Sequence, residues 1–229
     1  MSAKLTRVPL LLLVCLWALP IHAQRGRAVV VDERLAVLRD EPGLNAQLLR
    51  RLSRGRMVTV LNAKRADGVI FYRVAVTRRT RGWLQSEAFV SPARKGDDER
   101  LLALIRASQD FDRLARAAIF LETFPASGLR PAVLVLLGEA AEEAAQKLSR
   151  EAARRLDENE MRANRAPLAS YFLSYSGLDR YRRQGIDFVF DDALKQFHYD
   201  GAAWRELLRR YPRSQEAAKA RQHLAALKL

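Results

Sequence analysis

Apolar residues follow the short period of β-strands from position 28 to position 90. The runs 28–31 and 57–61 are rich in β-branched residues, and the run 71–76 alternates between two sides. Turn-forming residues separate these runs at 40–43, 53–55 and 66–68. Short strands at close and fairly even intervals are typical of a small closed barrel, which we expect here.

The period of the apolar positions lengthens to about 3.6 residues beyond position 97, and this period predicts helices. Asp97 and Asp98 are expected to cap the first helix through their side-chain oxygens. An alanine-rich stretch at 131–159 predicts one long helix, with Pro131 well placed in its first turn.

Two segments of the helical region repeat the same pattern. Residues 120–127 (FLETFPAS) and 207–214 (LLRRYPRS) each end a helix at an aromatic residue, break at proline and continue with alanine-rich helix. This pattern resembles the tetratricopeptide-type repeats of exported proteins, whose turns read aromatic-Pro-x-Ser-x-x-Ala. Fewer than three repeats rarely stabilise a solenoid, so we expect the pair to pack as one compact domain.

An aromatic-rich segment at 165–201 lies between the two repeat-like units. Its alternating residues predict a β-hairpin, and Asp200 is expected to cap the helix that follows. A helical turn at 191–197 is the alternative, because periodicity is ambiguous over such short runs. The aromatic residues expected to pair across the hairpin are Phe188, Phe190, Phe197 and Tyr199.

The strand region contains a series of landmarks in a characteristic order. They are 35–39 (LAVLR), Pro42, Leu52, Gly55, Val58, Val60, 72–74 (YRV), 82–84 (GWL), Ser86, Phe89 and Val90. In this order they resemble a bacterial SH3-like domain, which reads as an L-x-V-R stretch, a proline loop, a Leu-x-x-Gly turn, an aromatic-x-Val strand and a closing Gly-Trp strand. The chain departs from that pattern at Leu38, an extra residue, and at 70–72 (IFY), where a Trp-Tyr pair is usual. The resemblance implies a small barrel that binds cell-wall material or a peptide.

These patterns together predict an α+β protein of two domains. An SH3-like β-barrel is expected at 27–92 and a helical repeat-like domain, with the inserted hairpin, at 98–229. Pro92 and Gly96 interrupt regular structure between them, so residues 93–97 are interpreted as a linker.

The first 23 residues have the three-part pattern of a secretory signal peptide. A basic stretch at 1–7 precedes an apolar run at 8–19, and Ala23 is the natural residue before a cut. The run is shorter than the ~18 residues that a membrane-spanning helix needs, which favours cleavage over retention as an anchor. We therefore expect a periplasmic or secreted protein with no transmembrane span after cleavage.

The net charge of +14 favours acidic partners such as nucleic acid, anionic lipid or anionic wall polymer. Loss of Lys4 and Arg7 with the signal peptide leaves +12. Because an exported protein rarely meets genomic DNA or cytosolic RNA, we expect no nucleic-acid partner.

Candidate catalytic groups are few in the mature chain. Cys15 leaves with the signal peptide, so no cysteine remains for a disulfide or a nucleophile. His198 and His223 have no spacing relation, whereas a zinc hydrolase needs about three protein ligands. No Gly-x-Ser-x-Gly elbow, Ser-x-x-Lys motif or phosphate-binding glycine loop occurs. We expect no enzyme, no metal and no cofactor.

A basic and aromatic stretch at 78–90 (RRTRGWLQSEAFV) is the main candidate for ligand binding. Its arginines are expected on an exposed hairpin turn, whereas Trp83 follows a glycine in mid-strand and is interpreted as a core residue. The ligand-binding candidates are Phe71, Tyr72, Arg78, Arg79 and Arg81. If they converge, the basic residues Arg50, Arg51, Arg54 and Arg56 would join these arginines in a collar around the barrel.

The resulting hypothesis is an exported, non-catalytic binding or adaptor protein. The barrel would contact cell-wall material or a peptide, and the helices would contact an envelope protein partner. An accessory scaffold of an envelope assembly complex without wall binding is the alternative, and a wall-active hydrolase is less favoured.

Overall fold

The computed structural model describes residues 26–227. The predicted signal peptide and its cut after Ala23 lie outside the described residues. Within this range the protein is a mixed α/β structure, with an antiparallel sheet at the N-terminal side and helices after it.

Seven strands form the main sheet. They are β1 (Gly26–Val30), β2 (Val37–Arg39), β3 (Leu48–Arg51), β4 (Met57–Ala66), β5 (Val69–Ala75), β6 (Arg81–Gln85) and β7 (Phe89–Val90), with a 3₁₀ turn at Ser86–Ala88. Their order in the sheet is β3-β2-β6-β5-β4-β1-β7, and every neighbouring pair is antiparallel. The predicted strands at 28–31, 57–61 and 71–76 are confirmed, and β7 pairs with β1.

The strand pairing does not close into the predicted barrel. β3 and β7 are the two edges of the sheet and do not pair with each other. The amide of Val31 bonds the carbonyl of Ala88, so the neighbouring carbonyl of Phe89 points away from β1. Arg94 donates to that carbonyl from Nη2 at 2.8 Å, and Arg100 donates to it as well. Guanidinium groups therefore occupy the position where a further strand would have to bond.

The inner face of the sheet encloses an apolar core. Gly82 lies on this face, where a Cβ atom would come within 2.6 Å of the Arg39 carbonyl oxygen and 2.7 Å of Leu38 Cγ. The glycine at this position of β6 is thus explained by the close approach of β6 to β2. The core residues are Ala28, Val30, Ala36, Leu38, Leu52, Val58, Val60, Val74, Leu84, Ala88 and Phe89.

Eight α-helices follow within the described residues. They are α1 (Asp97–Ala107), α2 (Asp110–Thr123), α3 (Arg130–Arg155), α4 (Glu158–Asn164), α5 (Leu168–Leu173), α6 (Asp179–Arg182), α7 (Ala202–Arg210) and α8 (Ala217–Leu227), with a 3₁₀ turn at Ser176–Leu178. The predicted long helix at 131–159 begins as expected, with Pro131 in its first turn, but ends four residues early. Asp157 ends it by accepting the amides of Asn159 and Glu160 as the N-cap of α4.

The two repeat-like segments have the same backbone geometry at their turns. In the first, the amide of Phe124 bonds the Phe120 carbonyl at 2.9 Å and the Ser127 amide bonds the Phe124 carbonyl at 3.3 Å. The equivalent bonds in the second run from Tyr211 to Leu207 at 2.8 Å and from Ser214 to Tyr211 at 3.0 Å. The two segments that repeat in sequence therefore also repeat in structure. Each turn joins two packed helices, α2 with α3 in the first segment and α7 with α8 in the second.

The two helix pairs meet where α3 packs on α7. A Cβ atom at Gly138 of α3 would lie 2.3 Å from Cζ2 of Trp204, which is fully buried. Glycine at this position leaves room for the indole, whose Nε1 donates to Glu142 at 2.8 Å. Both helix pairs share one apolar core, as expected for a compact domain rather than a solenoid.

The predicted hairpin is present as β8 (Phe188–Asp191) and β9 (Gln196–Tyr199). Phe188 pairs with Tyr199 and Phe190 pairs with Phe197, so the predicted cross-strand pairs are confirmed and the alternative helical turn is excluded. The hairpin lies on α3, where the Phe197 amide donates to Ser149 Oγ at 2.8 Å. Asp200 accepts the amide of Ala202 at 3.0 Å, one residue before the position of a conventional N-cap.

The sheet and the helices share an apolar contact. Val29, Val31 and Val90 belong to the same core as the helices, whereas their chain neighbours face the inner core of the sheet. Arg116 of α2 reaches across this contact, and its Nε donates to the Val31 carbonyl at 3.1 Å. Burial lowers the pKa of this guanidinium, and the nearby charge of Arg54 adds to the effect.

The sequence predicted that Asp97 caps α1, and this is wrong: Asp97 is the first residue of α1, and its buried side chain makes no capping bond. Its carboxylate accepts the Ser91 amide at 2.7 Å, Nε of Arg94 at 2.8 Å and Nε of Arg100 at 3.3 Å. The N-cap of α1 is Gly96, at a φ of 82° that few other residues adopt. We name Ser91, Arg94, Asp97 and Arg100 the Asp97 junction, which bonds the linker to both the sheet and α1.

Within residues 26–227, no helix combines the length and the apolar character that crossing a bilayer requires.

Candidate functional site

Three of the predicted ligand-binding arginines lie on or beside the turn between β5 and β6. The Val76 amide bonds the Thr80 carbonyl at 2.9 Å, and Thr77 Oγ1 accepts the Thr80 amide at 3.0 Å. These bonds close a tight turn whose outer positions carry basic side chains. Arg78, Arg79 and Arg81 are all exposed, as predicted.

Phe71 and Tyr72, the two predicted aromatic contacts, lie on opposite faces of β5. Phe71 is completely buried, which leaves its ring no surface for a ligand. Tyr72 is half-buried on the inner face, with its ring edge-to-face against Phe89 at a centroid distance of 5.3 Å. The five predicted residues therefore do not form one surface.

Trp83 lies on the outer face of the sheet, and its prediction as a core residue is wrong. Its neighbours Gly82 and Leu84 are buried on the inner face, while Trp83 is half-buried and belongs to neither core. Strict alternation along β6 places the indole on the same face as Arg81. The signal available in the sequence was Leu84. If this apolar residue faces the core, alternation along the strand places Trp83 on the opposite face.

Arginines flank Trp83 on both neighbouring strands. It pairs directly with Arg39 of β2 and with Arg73 of β5. Directly opposed residues share a face and have Cβ atoms about 4.5–5.5 Å apart. Arg39 is held in place by a hydrogen bond from its Nη1 to the Ala46 carbonyl at 2.5 Å. We name this surface the arginine face; its members are Arg39, Arg73, Arg81 and Trp83 on the strands, together with Arg78 and Arg79, which are exposed on the turn at the end of β5.

The sheet carries few acids to balance these cations. Residues 26–90 hold 13 Arg and Lys against 6 Asp and Glu. Asp32 forms an ion pair with Arg34 at 2.6 Å. Hydrogen bonds that the Arg34 side chain and amide donate to the Asp32 carboxyl hold its pKa below the usual range. Asp67 accepts the Leu44 amide at 2.8 Å. Within the described part of the chain, no acidic side chain forms an ion pair with the arginine face.

The remaining basic residues of the sheet do not complete one collar. Arg54 turns toward the helices and forms an ion pair with Asp112 of α2 at 2.9 Å. Arg50 and Arg51 lie on β3, where Arg50 opposes the inward-facing Leu38. Strand register brings Arg39 and Arg73 to Trp83, whereas Arg78, Arg79 and Arg81 are close to it in sequence.

The two histidines of the described region lie far from this face. His198 in the hairpin lies 3.9 Å from an Asp191 oxygen. Nδ1 of His223 lies 2.9 Å from a Glu142 oxygen, and the imidazole stacks on Trp204. Among residues 26–227, no three His, Cys, Asp or Glu side chains gather closely enough to hold a metal ion.

Comparison of the chain with protein-family models, curated proteins and solved structures finds no match. The functional conclusion therefore rests on geometry. Guanidinium groups bind carboxylate and phosphate oxygens through paired N–H donors, and an indole supplies a flat apolar surface beside them. The arginine face is suited to bind a repeating anionic polymer, since its cations extend over several strands.

Proposed function

We propose that this chain is an exported, non-catalytic binding protein. In this proposal residues 27–92 are an SH3-like unit that binds anionic cell-wall polymer, and the helical unit contacts an envelope protein. The observation that carries the proposal is the arginine face, whose cations have no acidic partner within the described residues.

The charge of this surface supports a polymer rather than a compact ligand. Exposed cations attract an anionic chain over about one Debye length, ~8 Å at physiological salt. Several weak contacts add up when the ligand repeats its charge. Trp83 gives the same surface an apolar platform on which a sugar ring could lie.

Binding of the mature chain to purified wall sacculi tests the proposal. The double variant Arg73→Ala/Arg81→Ala is expected to bind roughly tenfold more weakly, because two charge-assisted contacts are lost. The matched control is Arg56→Ala/Arg213→Ala, which removes the same charge from exposed positions outside the arginine face. Wild-type binding is expected to fall as salt rises.

Three comparisons make this test decisive. Sacculi stripped of anionic polymer should lose the binding if the polymer is the ligand. Equal binding by the double variant and its control would overturn the role of the arginine face. Tight binding to a DNA oligonucleotide with no binding to sacculi would overturn the choice of ligand.

A second candidate function is an assembly scaffold without wall binding. The Asp97 junction favours it, because bonds from one carboxylate to the linker and α1 hold the sheet at a defined position on the helices. Pulldown from envelope extract would then recover one partner with the full chain, and the arginine-face variants would leave that recovery unchanged.

A further inference from the structure

A cleft opens at the end of the inner core, where β7 leads into the Asp97 junction. It has a volume of about 340 Å³, which is at the small end of the range for ligand pockets. We name it the Tyr72 cleft; its lining residues are Val60, Tyr72, Phe89, Ser91, Ala93, Arg94 and Lys95. It lies on the inner side of the sheet and is independent of the arginine face.

The guanidinium of Arg94 is fixed at one wall of this cleft. It lies 4.8 Å from the ring centroid of Phe89 and 5.6 Å from that of Tyr72. Its Nε bonds Asp97 at 2.8 Å, and its Nη2 bonds the carbonyls of Ser86 at 2.9 Å and Phe89 at 2.8 Å. These bonds restrict the side chain, so Arg94 loses little further conformational entropy when a ligand binds to it.

One nitrogen of this guanidinium remains available. No hydrogen bond joins Nη1 of Arg94 to another group among residues 26–227, although the nitrogen carries two N–H donors. Lys95 follows it in sequence, is exposed and has no acidic partner in the described chain. The cleft thus presents two cationic donor groups beside an aromatic and aliphatic wall.

The number of open donors in the cleft selects the kind of anion. Asp97 lies behind Arg94 at 2.8 Å and also pairs with Arg100 at 3.3 Å. One open guanidinium nitrogen and one ammonium match the two oxygens of a carboxylate, whereas a phosphate would place further oxygens against the apolar wall without donors. The apolar wall adds a preference for a carboxylate attached to an apolar group.

We propose that the Tyr72 cleft binds a carboxylate attached to a small apolar group. The carboxylate bonds Nη1 of Arg94 and Nζ of Lys95, and the apolar group lies against Tyr72 and Val60. Such a carboxylate has two sources: the C-terminus of a peptide with an apolar last residue, or an acidic side chain next to an apolar residue.

Titration of the mature chain, followed by amide NMR, tests the site with small probes. N-acetyl-leucine is expected to shift the resonances of Lys95 and its neighbours in a saturable way. N-acetyl-leucinamide, which lacks the charge, and acetate, which lacks the apolar group, should each bind at least about tenfold more weakly. Equal affinity for N-acetyl-leucine and its amide would overturn the proposal.

Two variants test the residues without removing the fixed guanidinium. Lys95→Gln and Tyr72→Leu should each weaken N-acetyl-leucine binding several-fold, because one removes an ammonium and the other an aromatic wall. Lys64→Gln is the control, since it removes an exposed lysine of β4 that is not part of the cleft. Loss of binding in the control alone, or unchanged binding in both test variants, would contradict the assignment.

Two peptides distinguish the sources of the carboxylate. N-acetyl-Ala-Leu with a free C-terminus carries the terminal group, and N-acetyl-Leu-Glu-amide carries only the side-chain group. Binding of either one at the Tyr72 cleft supports the proposal and identifies the source, whereas binding of neither overturns it. Because arginine-face variants leave this cleft intact, failure of sacculus binding and failure of this site are separate results.

Discussion

The outer face of the sheet has two halves: one packs against the helices, and the other carries exposed arginines. Arg27, Thr59, Ala75 and Arg81 oppose one another in a row across β1, β4, β5 and β6, so all of them lie on this one face. The β1 end of the same face carries Val29, which helices cover, together with Val31 and Val90. The β2, β6 and β5 end carries the arginine face, whose Arg73 and Arg81 are exposed although Phe71 of the same face is buried.

The difference shows that the residues at outward positions decide whether helices can cover a sheet face. Burial of Val29, Val31 and Val90 removes apolar surface from water, which is worth about 25 cal/mol per Å². Guanidinium groups on the open half would each need a paired partner before a helix could cover them. The same backbone face therefore forms an internal contact at one end and a charged surface at the other.

The largest expected effect on stability comes from placing a charge in the covered half and an apolar residue in the exposed half. Val31→Arg places a charge where no partner exists, so it should lower the free energy of unfolding by more than about 4 kcal/mol. Arg73→Val changes an exposed position and should alter stability by no more than about 0.5 kcal/mol. Urea denaturation of both variants measures the contrast, and similar costs would mean that the two halves do not differ as described.

The Asp97 junction should rank second. Asp97→Asn keeps the shape but removes the charge that two guanidinium groups share, at an expected cost of about 2–3 kcal/mol. Glu99→Gln removes a neighbouring charge that is exposed, and it should leave stability nearly unchanged. A cost for Asp97→Asn no larger than that of this control, measured by thermal unfolding, would show that the junction contributes little.

Arg116 gives a smaller effect on the covered half. Arg116→Met keeps most of the apolar stem but leaves the Val31 carbonyl without its donor, which should cost about 1–2 kcal/mol. Arg116→Lys retains a cation but not the guanidinium geometry, so its stability should fall between those of wild type and Arg116→Met. If Arg116→Met unfolds at the same urea concentration as wild type, the hydrogen bond across the contact is not stabilising.

The smallest effect concerns acid and Asp32. Its pKa is lowered in the folded state by hydrogen bonds from Arg34, with burial acting in the opposite direction. The stabilisation is therefore present above the unfolded pKa of about 3.9 and is lost as pH falls through the lower folded pKa. Asp32→Asn should cost less than about 1 kcal/mol at pH 7, because its partner is largely exposed, and this cost should shrink as pH falls below the unfolded pKa. An equal cost at pH 7 and near pH 2, in urea denaturation, would exclude this linkage.

Several elements were predictable because their signals are local. The β8–β9 hairpin follows from the alternation of aromatic residues, and the turns at Phe124 and Tyr211 follow from the position of the proline after each. The exposed turn at Arg78 and Arg79 was likewise indicated by its composition. In each case, residues within a few positions of one another determine the backbone.

Other features depended on residues far apart in the sequence. Asp97 reads as a helix cap from its neighbours, yet its bonds to Arg94 and Ser91 depend on how the linker folds back onto β7. The outward position of Trp83 is not visible from its neighbour Gly82, because this glycine reflects close packing against Leu38 and not burial of the indole. The open sheet edge at β7 could not be foreseen, since it depends on two arginines bonding one carbonyl.

Periodicity and composition act over short stretches of chain, so the sequence predicts β1, β4, β5, the β8–β9 hairpin, most of α3 and the excess of positive charge, but not the short helices α4, α5 and α6. Which of those charges lie together depends on the tertiary structure. Arg39, Arg73 and Arg81 come from three different strands, and only the register of β2, β5 and β6 brings them around Trp83. Hydrogen bonding between strands sets that register, and no single segment contains it.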